Sequence, residues 1–170
     1  KIVHIPISGG GGINSLEDAE ILLNNGCDKI IINSIIHQNI KEAKKIIKHI
    51  GSSSVVGSIQ YTDVNSLNTH FRMGRDNTGI CLKDTIRKYN EIGVGEILLT
   101  NISREGTYSN LDRDIVFIAN SFKYFPLLIG GGFKSPDELD LYKDKVSAVV
   151  LSSALHYNKT SIKKLLFKNI

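Results

Sequence analysis

Apolar residues along this chain gather into short runs, separated by segments of helical period, and the alternation is regular. The runs His4–Ser8, Asp28–Asn33, Ser54–Ile59, Glu96–Asn101, Pro126–Ile129 and Ser147–Ser152 predict strands. They are near-continuously apolar, as strands buried on both faces of a parallel sheet must be. Helix signals lie between them. Ser15 followed by Asp18 resembles a capping box ahead of the stripe Ala19, Leu22, Leu23, and Gly26 can take the left-handed conformation that stops a helix. Ile40, Ala43, Ile46, Ile47 and Ile50 share a face opposite Lys41, Lys44, Lys45 and Lys48, which read as a solvated face. Leu82, Ile86, Tyr89 and Ile92 mark another helix, closed by Gly93. In Ser135-Pro136-Asp137-Glu138 the serine caps, the proline takes the first helical position, and the glutamate follows three residues after the cap. Six βα units result. Right-handed crossovers then allow two α/β architectures, an open doubly wound sheet or a (β/α) barrel. The long irregular stretch Tyr61–Thr78 predicts a functional loop or small hairpin over a site.

Composition narrows the class. The 170 residues fit one domain, 1–170, with 41% hydrophobic and 22% charged residues. Apolar runs such as Ile30-Ile31-Ile32 fall far short of the ~18 residues of a membrane helix, so no membrane partner is expected. Two cysteines, Cys27 and Cys81, make no disulfide framework, and a reducing cytoplasm is the expected location. The net charge of +4 is spread along the chain, which argues against a nucleic-acid partner. His4, His37, His49, His70 and His156 show no metal-ligand spacing with the cysteines, so no metal or other cofactor is expected. Ser153 and His156 read as a capping serine followed by a surface histidine, not as a nucleophile and its base.

The chemistry lies in a repeat. Gly10-Gly11-Gly12-Ile13 recurs as Gly130-Gly131-Gly132-Phe133, each after an apolar strand and before a capped helix. One strand later, Asn33-Ser34 and Ser152-Ser153 recur at nearly the same offset, so two βα units match two others. Glycines at a strand's carboxyl end let backbone approach a ligand, and hydroxyl or amide residues at the next strand end add donors. That combination binds phosphate, and its repetition predicts two phosphates on one substrate. The alternative is a pair of tight strand-to-helix turns without ligand.

Together Gly10-Gly11-Gly12-Ile13, Asp28-Lys29-Ile30-Ile31-Ile32-Asn33-Ser34, Asn77-Thr78-Gly79, Gly95-Glu96-Ile97-Leu98-Leu99-Thr100 and Arg104-Glu105-Gly106-Thr107 resemble the HisF family, cyclase subunits of imidazole glycerol phosphate synthase. The resemblance implies a (β/α)8 barrel that takes ammonia from a HisH-type glutaminase partner. With it the family cleaves and cyclises a bisphosphorylated phosphoribulosyl intermediate of histidine biosynthesis. It further implies that Gly12, Asn33 and Ser34 hold one phosphate and Gly106, Gly132 and Ser153 the other, and that Thr100 and Glu105 line the cleft. Lys29 and Glu96 resemble the charged ammonia gate at the amino-terminal mouth, and Asp28 part of the glutaminase docking face. An ordinary salt bridge at the strand starts is the alternative for the gate.

Aligned on the family, Lys1 falls just before the third strand. The implied domain is a barrel with strands 3 to 8, amino-terminally incomplete by two βα units. Gln60 stands at the position of a catalytic aspartate, and a carboxamide does not exchange a proton near neutral pH. General acid–base groups contribute typically ~10²–10⁴-fold. Ser103 and Glu105 stand where the family carries aspartates, and Gly130 replaces its usual serine. Such changes around one rim leave two alternatives to cyclisation. One is a HisF-like paralogue that delivers ammonia for sugar amidation in surface-polysaccharide synthesis. The other is a non-catalytic phosphate-binding subunit.

Overall fold

The predicted apolar runs pair side by side in the order in which they occur in the chain. A computed structural model describes residues 4–63, 69–115, 118, 121 and 126–166. Its strands are β1 (Ser8–Gly10), β2 (Lys29–Ile32), β3 (Val55–Tyr61), β4 (Thr69–Phe71), β5 (Asp76–Asn77), β6 (Glu96–Asn101), β7 (Leu127–Gly130) and β8 (Ala148–Val150). The order β1-β2-β3-β6-β7-β8 is parallel throughout, and β4 and β5 form an antiparallel hairpin attached to β3. A doubly wound sheet reverses its strand order at a switch point, whereas a barrel does not. The described strands are therefore an arc of a (β/α)8 barrel. The hairpin occupies the stretch that the sequence marks as a loop or hairpin over a site.

Side chains alternate between the helix layer and the concave face. On β3, Ile59 and Tyr61 are buried toward the helices, while Ser58 and Gln60 line a cavity on the other face. On β6, Ile97, Leu99 and Asn101 are buried, and Glu96, Leu98 and Thr100 alternate with them. The helix layer comprises α1 (Leu16–Asn24), α2 (Ser34–Gln38), α3 (Ile40–Ile50), α4 (Leu82–Ile92), α5 (Ser153–His156) and α6 (Ile162–Leu166). Their buried faces supply Ala19, Ile46, Ile86 and Tyr89 to one core with Ile30, Ile32, Ile59, Ile97 and Leu99.

The caps form largely as their residues dictate. Asp18 accepts from the backbone N–H groups of Asn14 and Ser15 at 2.8 and 3.0 Å and donates its own N–H to Ser15 Oγ, which closes the capping box. Asn39 caps α3, and Gly93 ends α4 in the left-handed conformation. Ser135 and Glu138 also form their capping box, but Pro136–Leu141 winds as a 3-10 helix with i+3 bonds such as Glu138 N to Ser135 O. The cap of α5 is Ser152, one residue before Ser153.

Only β6 keeps the limits read from the sequence, Glu96–Asn101, and β2 and β7 shift by one residue at each end. The first strand is Ser8–Gly10 instead of His4–Ser8. The third continues through Tyr61, because pairing with both β4 and β6 at Gln60 and Tyr61 extends its ladder. The last ends at Val150. Near-continuous burial holds only for β3; β2 and β6 alternate buried and half-buried positions, and β1 and β8, each with one strand neighbour, are largely exposed.

A buried polar knot fixes the loop after β6. Asp112, 7% exposed, accepts from Asn101 Nδ2 at 2.8 Å and from the Tyr61 hydroxyl at 3.3 Å through the same carboxylate oxygen. Burial, then the neighbouring Asp112, pushes the Tyr61 phenol up, so it stays a donor. Glu138, 6% exposed, accepts from the N–H groups of Leu111 and Lys134 at 2.8 and 2.6 Å, tying this loop to the turn after β7. Asp112→Ala should cost about 3 kcal/mol, because it strands two buried donors. Urea unfolding measures this, and a loss under about 0.5 kcal/mol would contradict the role given to the knot.

Candidate functional site

Parallel pairing brings all strand carboxyl ends to one rim, and the two glycine repeats end β1 and β7 there. The first repeat opens onto space. Gly11 and Gly12 have φ of +98° and +75°, and a Cβ added to either would meet nothing within 4 Å. Both line a cavity of about 620 Å³ shared with Asn33, Ser34, Ser58 and Gln60, and with Arg72 and Arg75 of the β4–β5 hairpin. Asn14 Nδ2 donates to Gly12 O at 2.7 Å and sets the shape of the turn.

The second repeat has the same backbone for a different reason. Gly131 and Gly132 have φ of +93° and +92°, and a Cβ on them would collide with the backbone oxygens of Asn101 and Asn110. Packing alone demands glycine there. Gly131 and Gly132 also line a second cavity, of about 60 Å³, with Thr100, Glu105, Gly106 and Ser153. A Cβ at Gly130 would lie 3.5 Å from Val150 Cβ, an ordinary contact, so nothing in the packing forbids a larger residue there. The residues expected from sequence therefore assemble as two groups: Gly12, Asn33 and Ser34 around the larger cavity, and Gly106, Gly132 and Ser153 with Thr100 and Glu105 around the smaller.

Asn33 is held from behind. The Tyr89 hydroxyl, reaching through the helix layer from α4, lies 3.2 Å from Asn33 Oδ1 and 3.1 Å from Ser58 O, and His37 Nε2 stands 3.3 Å from the same hydroxyl. The amide oxygen of Asn33 is thus turned toward Tyr89. Its Nδ2 donates to His70 O at 3.4 Å. Ser34 Oγ accepts from Arg72 N at 3.1 Å, which fastens the hairpin tip to the start of α2. Arg72 and Met73 have φ of +52° and +58°, a left-handed pair that costs conformational energy in non-glycine residues. Arg72 also pairs with Asp76 at 3.0 Å. Arg72, Arg75 and Tyr89 escape the sequence reading as site residues. The signal for the arginines is their place in the Tyr61–Thr78 stretch; Tyr89 reads only as a core position of its helix.

Gln60 pairs in register with Thr100 on β6 and with His70 on β4. Its Oε1 is buried and has no hydrogen-bond partner among the described residues. At the amino ends, Lys29 Nζ pairs with Glu96 Oε1 across β3, both half-buried. Asp28 lies apart from that pair: its Oδ2 accepts from Ile7 N at 2.7 Å, and its side chain ties the segment before β1 to the start of β2. Cys27 and Cys81 are half-buried, as small fillers would be. The described residues include no group of three or more His, Cys, Asp or Glu able to hold a metal ion, and no helix long and apolar enough to cross a membrane.

The support behind Asn33 has a pH signature. Burial, assisted by Lys88, pushes the His37 imidazole down to about 4. The unfolded chain binds that proton near pH 6.5, so native stability is full above that pH and declines as pH falls toward 4. His37→Gln should flatten the stability profile across this window in urea titrations at stepped pH. An unchanged profile would contradict the buried, neutral His37.

Residues 1–161 match the sequence profile of the family described as histidine biosynthesis protein. The HisF subunit of imidazole glycerol phosphate synthase from Helicobacter hepaticus is 37% identical over 170 residues, covering 97% of this chain and 66% of its own length. The subunit of the same name from Prochlorococcus marinus subsp. pastoris is 33% identical, covering 97% and 67%. That from Legionella pneumophila is 37% identical over 142 residues, covering 81% and 66%. The chain spans about two thirds of the length of these relatives. With six parallel strands in barrel order and glycine turns on one rim, the chain belongs to the histidine biosynthesis protein family and is similar to its HisF subunits.

Proposed function

We propose that the protein acts as a HisF-type cyclase subunit, on a sugar derivative carrying two phosphates and with ammonia supplied by a HisH-type glutaminase. The observation that carries this reading is the pair of positive-φ glycine turns at the same rim, each beside small polar residues of the next strand end. Gly12, Asn33 and Ser34 hold one phosphate. Gly106, Gly132 and Ser153 hold the other, with Thr100 and Glu105 lining the cleft between. Backbone N–H groups and neutral side chains suit a dianion that must be released after turnover. Lys29 and Glu96 form the gate through which ammonia enters from the opposite mouth, and Asp28 belongs to the glutaminase docking face. Residues 1–170 form a single barrel domain in this reading, closed by two further βα units. Ammonia attacks the bound ketose, and acid–base cleavage and ring closure follow at the strand carboxyl ends.

Gln60 favours a second reading. A neutral carboxamide at the centre of the rim suits a paralogue that delivers ammonia for sugar amidation, with the final chemistry done by another enzyme.

Turnover of the bisphosphate intermediate by the intact protein with an ammonium salt tests the first reading; a folded protein without turnover contradicts it. Gly12→Asp places a carboxylate in open space against the first phosphate, and Ser153→Asp does so at the second. Each should lower turnover at limiting substrate by at least ~10²-fold; thermal unfolding of Ser153→Asp stays close to that of the wild type, while Gly12→Asp loses about 1–2 kcal/mol because its φ of +75° disfavours a side chain. Gln60→Asp divides the two readings: under the first, cyclisation rises by ~10²–10⁴-fold, and under the second, amidation is unimpaired and no cyclisation develops.

A further inference from the structure

The β4–β5 hairpin brings charge to a cavity whose other walls have none. Among the described residues that line the space of about 620 Å³, Arg72 and Arg75 are the only charged side chains, and no carboxylate lines it. A cavity walled by backbone amides, neutral side chains and two cations favours an anion. The two arginines sit together because of the turn between them. Arg75 N donates to Arg72 O at 3.4 Å, so Arg72-Met73-Gly74-Arg75 forms a four-residue turn with an arginine at each end. Arg72, Met73 and Gly74 have φ of +52°, +58° and +81°. The first two are conformations that side chains rarely adopt, and they persist where the surroundings impose them, ligand clamps among such places. Here Arg72 N donates to Ser34 Oγ at 3.1 Å, Arg72 Nη1 donates to Asp76 Oδ2 at 3.0 Å, and Phe71 stacks on His37 with ring centroids 5.2 Å apart. The bond to Ser34 has a chemical consequence. Its hydroxyl oxygen accepts from the hairpin, which leaves its O–H to donate to an anion. Asp76 engages one side of the Arg72 guanidinium from outside the cavity lining, whereas Arg75 forms no ion pair with any described residue.

We propose that Arg75, with Arg72 beside it, binds the first phosphate directly, as a cationic clamp that the hairpin sets over the group held from the strand ends by Gly12, Asn33 and Ser34. The proposal rests on the cyclase reading given above, which puts a phosphate in this cavity; it adds that the hairpin, and not the strand ends alone, sets the affinity. The group recognised is a phosphomonoester dianion. A guanidinium offers two parallel N–H donors that match two phosphate oxygens, a geometry that an ammonium group does not reproduce. Arg75 contributes more than Arg72, because Asp76 offsets part of the charge of Arg72. The strained turn holds both arginines in place before the substrate arrives, so little side-chain freedom is lost on binding.

The experiment is titration calorimetry of the intact protein with the bisphosphorylated intermediate at stepped salt, comparing wild type with Arg75→Gln, Arg75→Lys and Arg87→Gln. Arg87 is an exposed arginine of α4 paired with Asp84; it lines neither rim cavity and controls for net charge. Arg75→Gln should raise Kd by at least ~10-fold and flatten its dependence on salt, and Arg75→Lys should recover only part of the loss. Arg87→Gln should stay within ~threefold of the wild type. A wild type that binds while Arg75→Gln binds as tightly, or while Arg87→Gln loses as much, overturns the clamp and leaves the phosphate assignment standing. A folded wild type that does not bind the bisphosphate overturns the cyclase reading itself. If Arg75→Gln does not fold, the wild type carries the test through an arginine-directed dicarbonyl reagent, with modified peptides read by mass. Bound bisphosphate should slow modification of Arg75 by at least ~10-fold and leave that of Arg87 unchanged. Equal rates at Arg75 with and without the bisphosphate overturn the proposal.

Discussion

The parallel ladder around β3 is the constraint from which the rest follows. β3 pairs over six residues with β6 and over three with β2, and its last residues also pair with β4. Because the ladders of β1, β2, β3, β6, β7 and β8 are parallel, these six strands end on the same rim. Register then decides which residues meet: Gln60 lies between Thr100 and His70, and Thr100 opposite Gly130. The alternation of side chains does the remaining work. It sends Ile59, Tyr61, Ile97 and Leu99 into the core and leaves Ser58, Gln60, Thr100 and the Lys29–Glu96 pair on the other face.

Two copies of one sequence motif meet different physical demands. Gly11 and Gly12 face open space, so their positive φ serves the turn and the cavity in front of it. Gly131 and Gly132 are pressed against Asn101 and Asn110 in addition, because the loop after β6 is drawn in by Glu138 and by the knot of Asp112, Asn101 and Tyr61. The first turn is the roomy end of the rim and the second the tight one.

Much of the fold is legible from residues alone, since strand burial, the Ser15–Asp18 box, the Gly93 stop and the glycine turns are local features. Strand order is legible only as far as two architectures; the sequential pairing chooses between them. The site is legible where backbone geometry makes it, at Gly12 and Gly132 and the polar residues that follow the next strands. It is obscure where tertiary contact makes it. Tyr89 reads as one more apolar position of α4, yet its hydroxyl sets the amide of Asn33. Arg72 and Arg75 reach the cavity because the hairpin tip folds in a left-handed turn that the residue types around them do not advertise.

The central claim is that one substrate bridges both glycine turns. Titration calorimetry of the intact protein with the bisphosphorylated intermediate, and with a sugar of the same chain carrying a single phosphate, tests it most directly. The account predicts one-to-one binding of the bisphosphate at least ~10²-fold tighter than the monophosphate, because the second phosphate binds from an already tethered position. Equal affinity for the two compounds would contradict it.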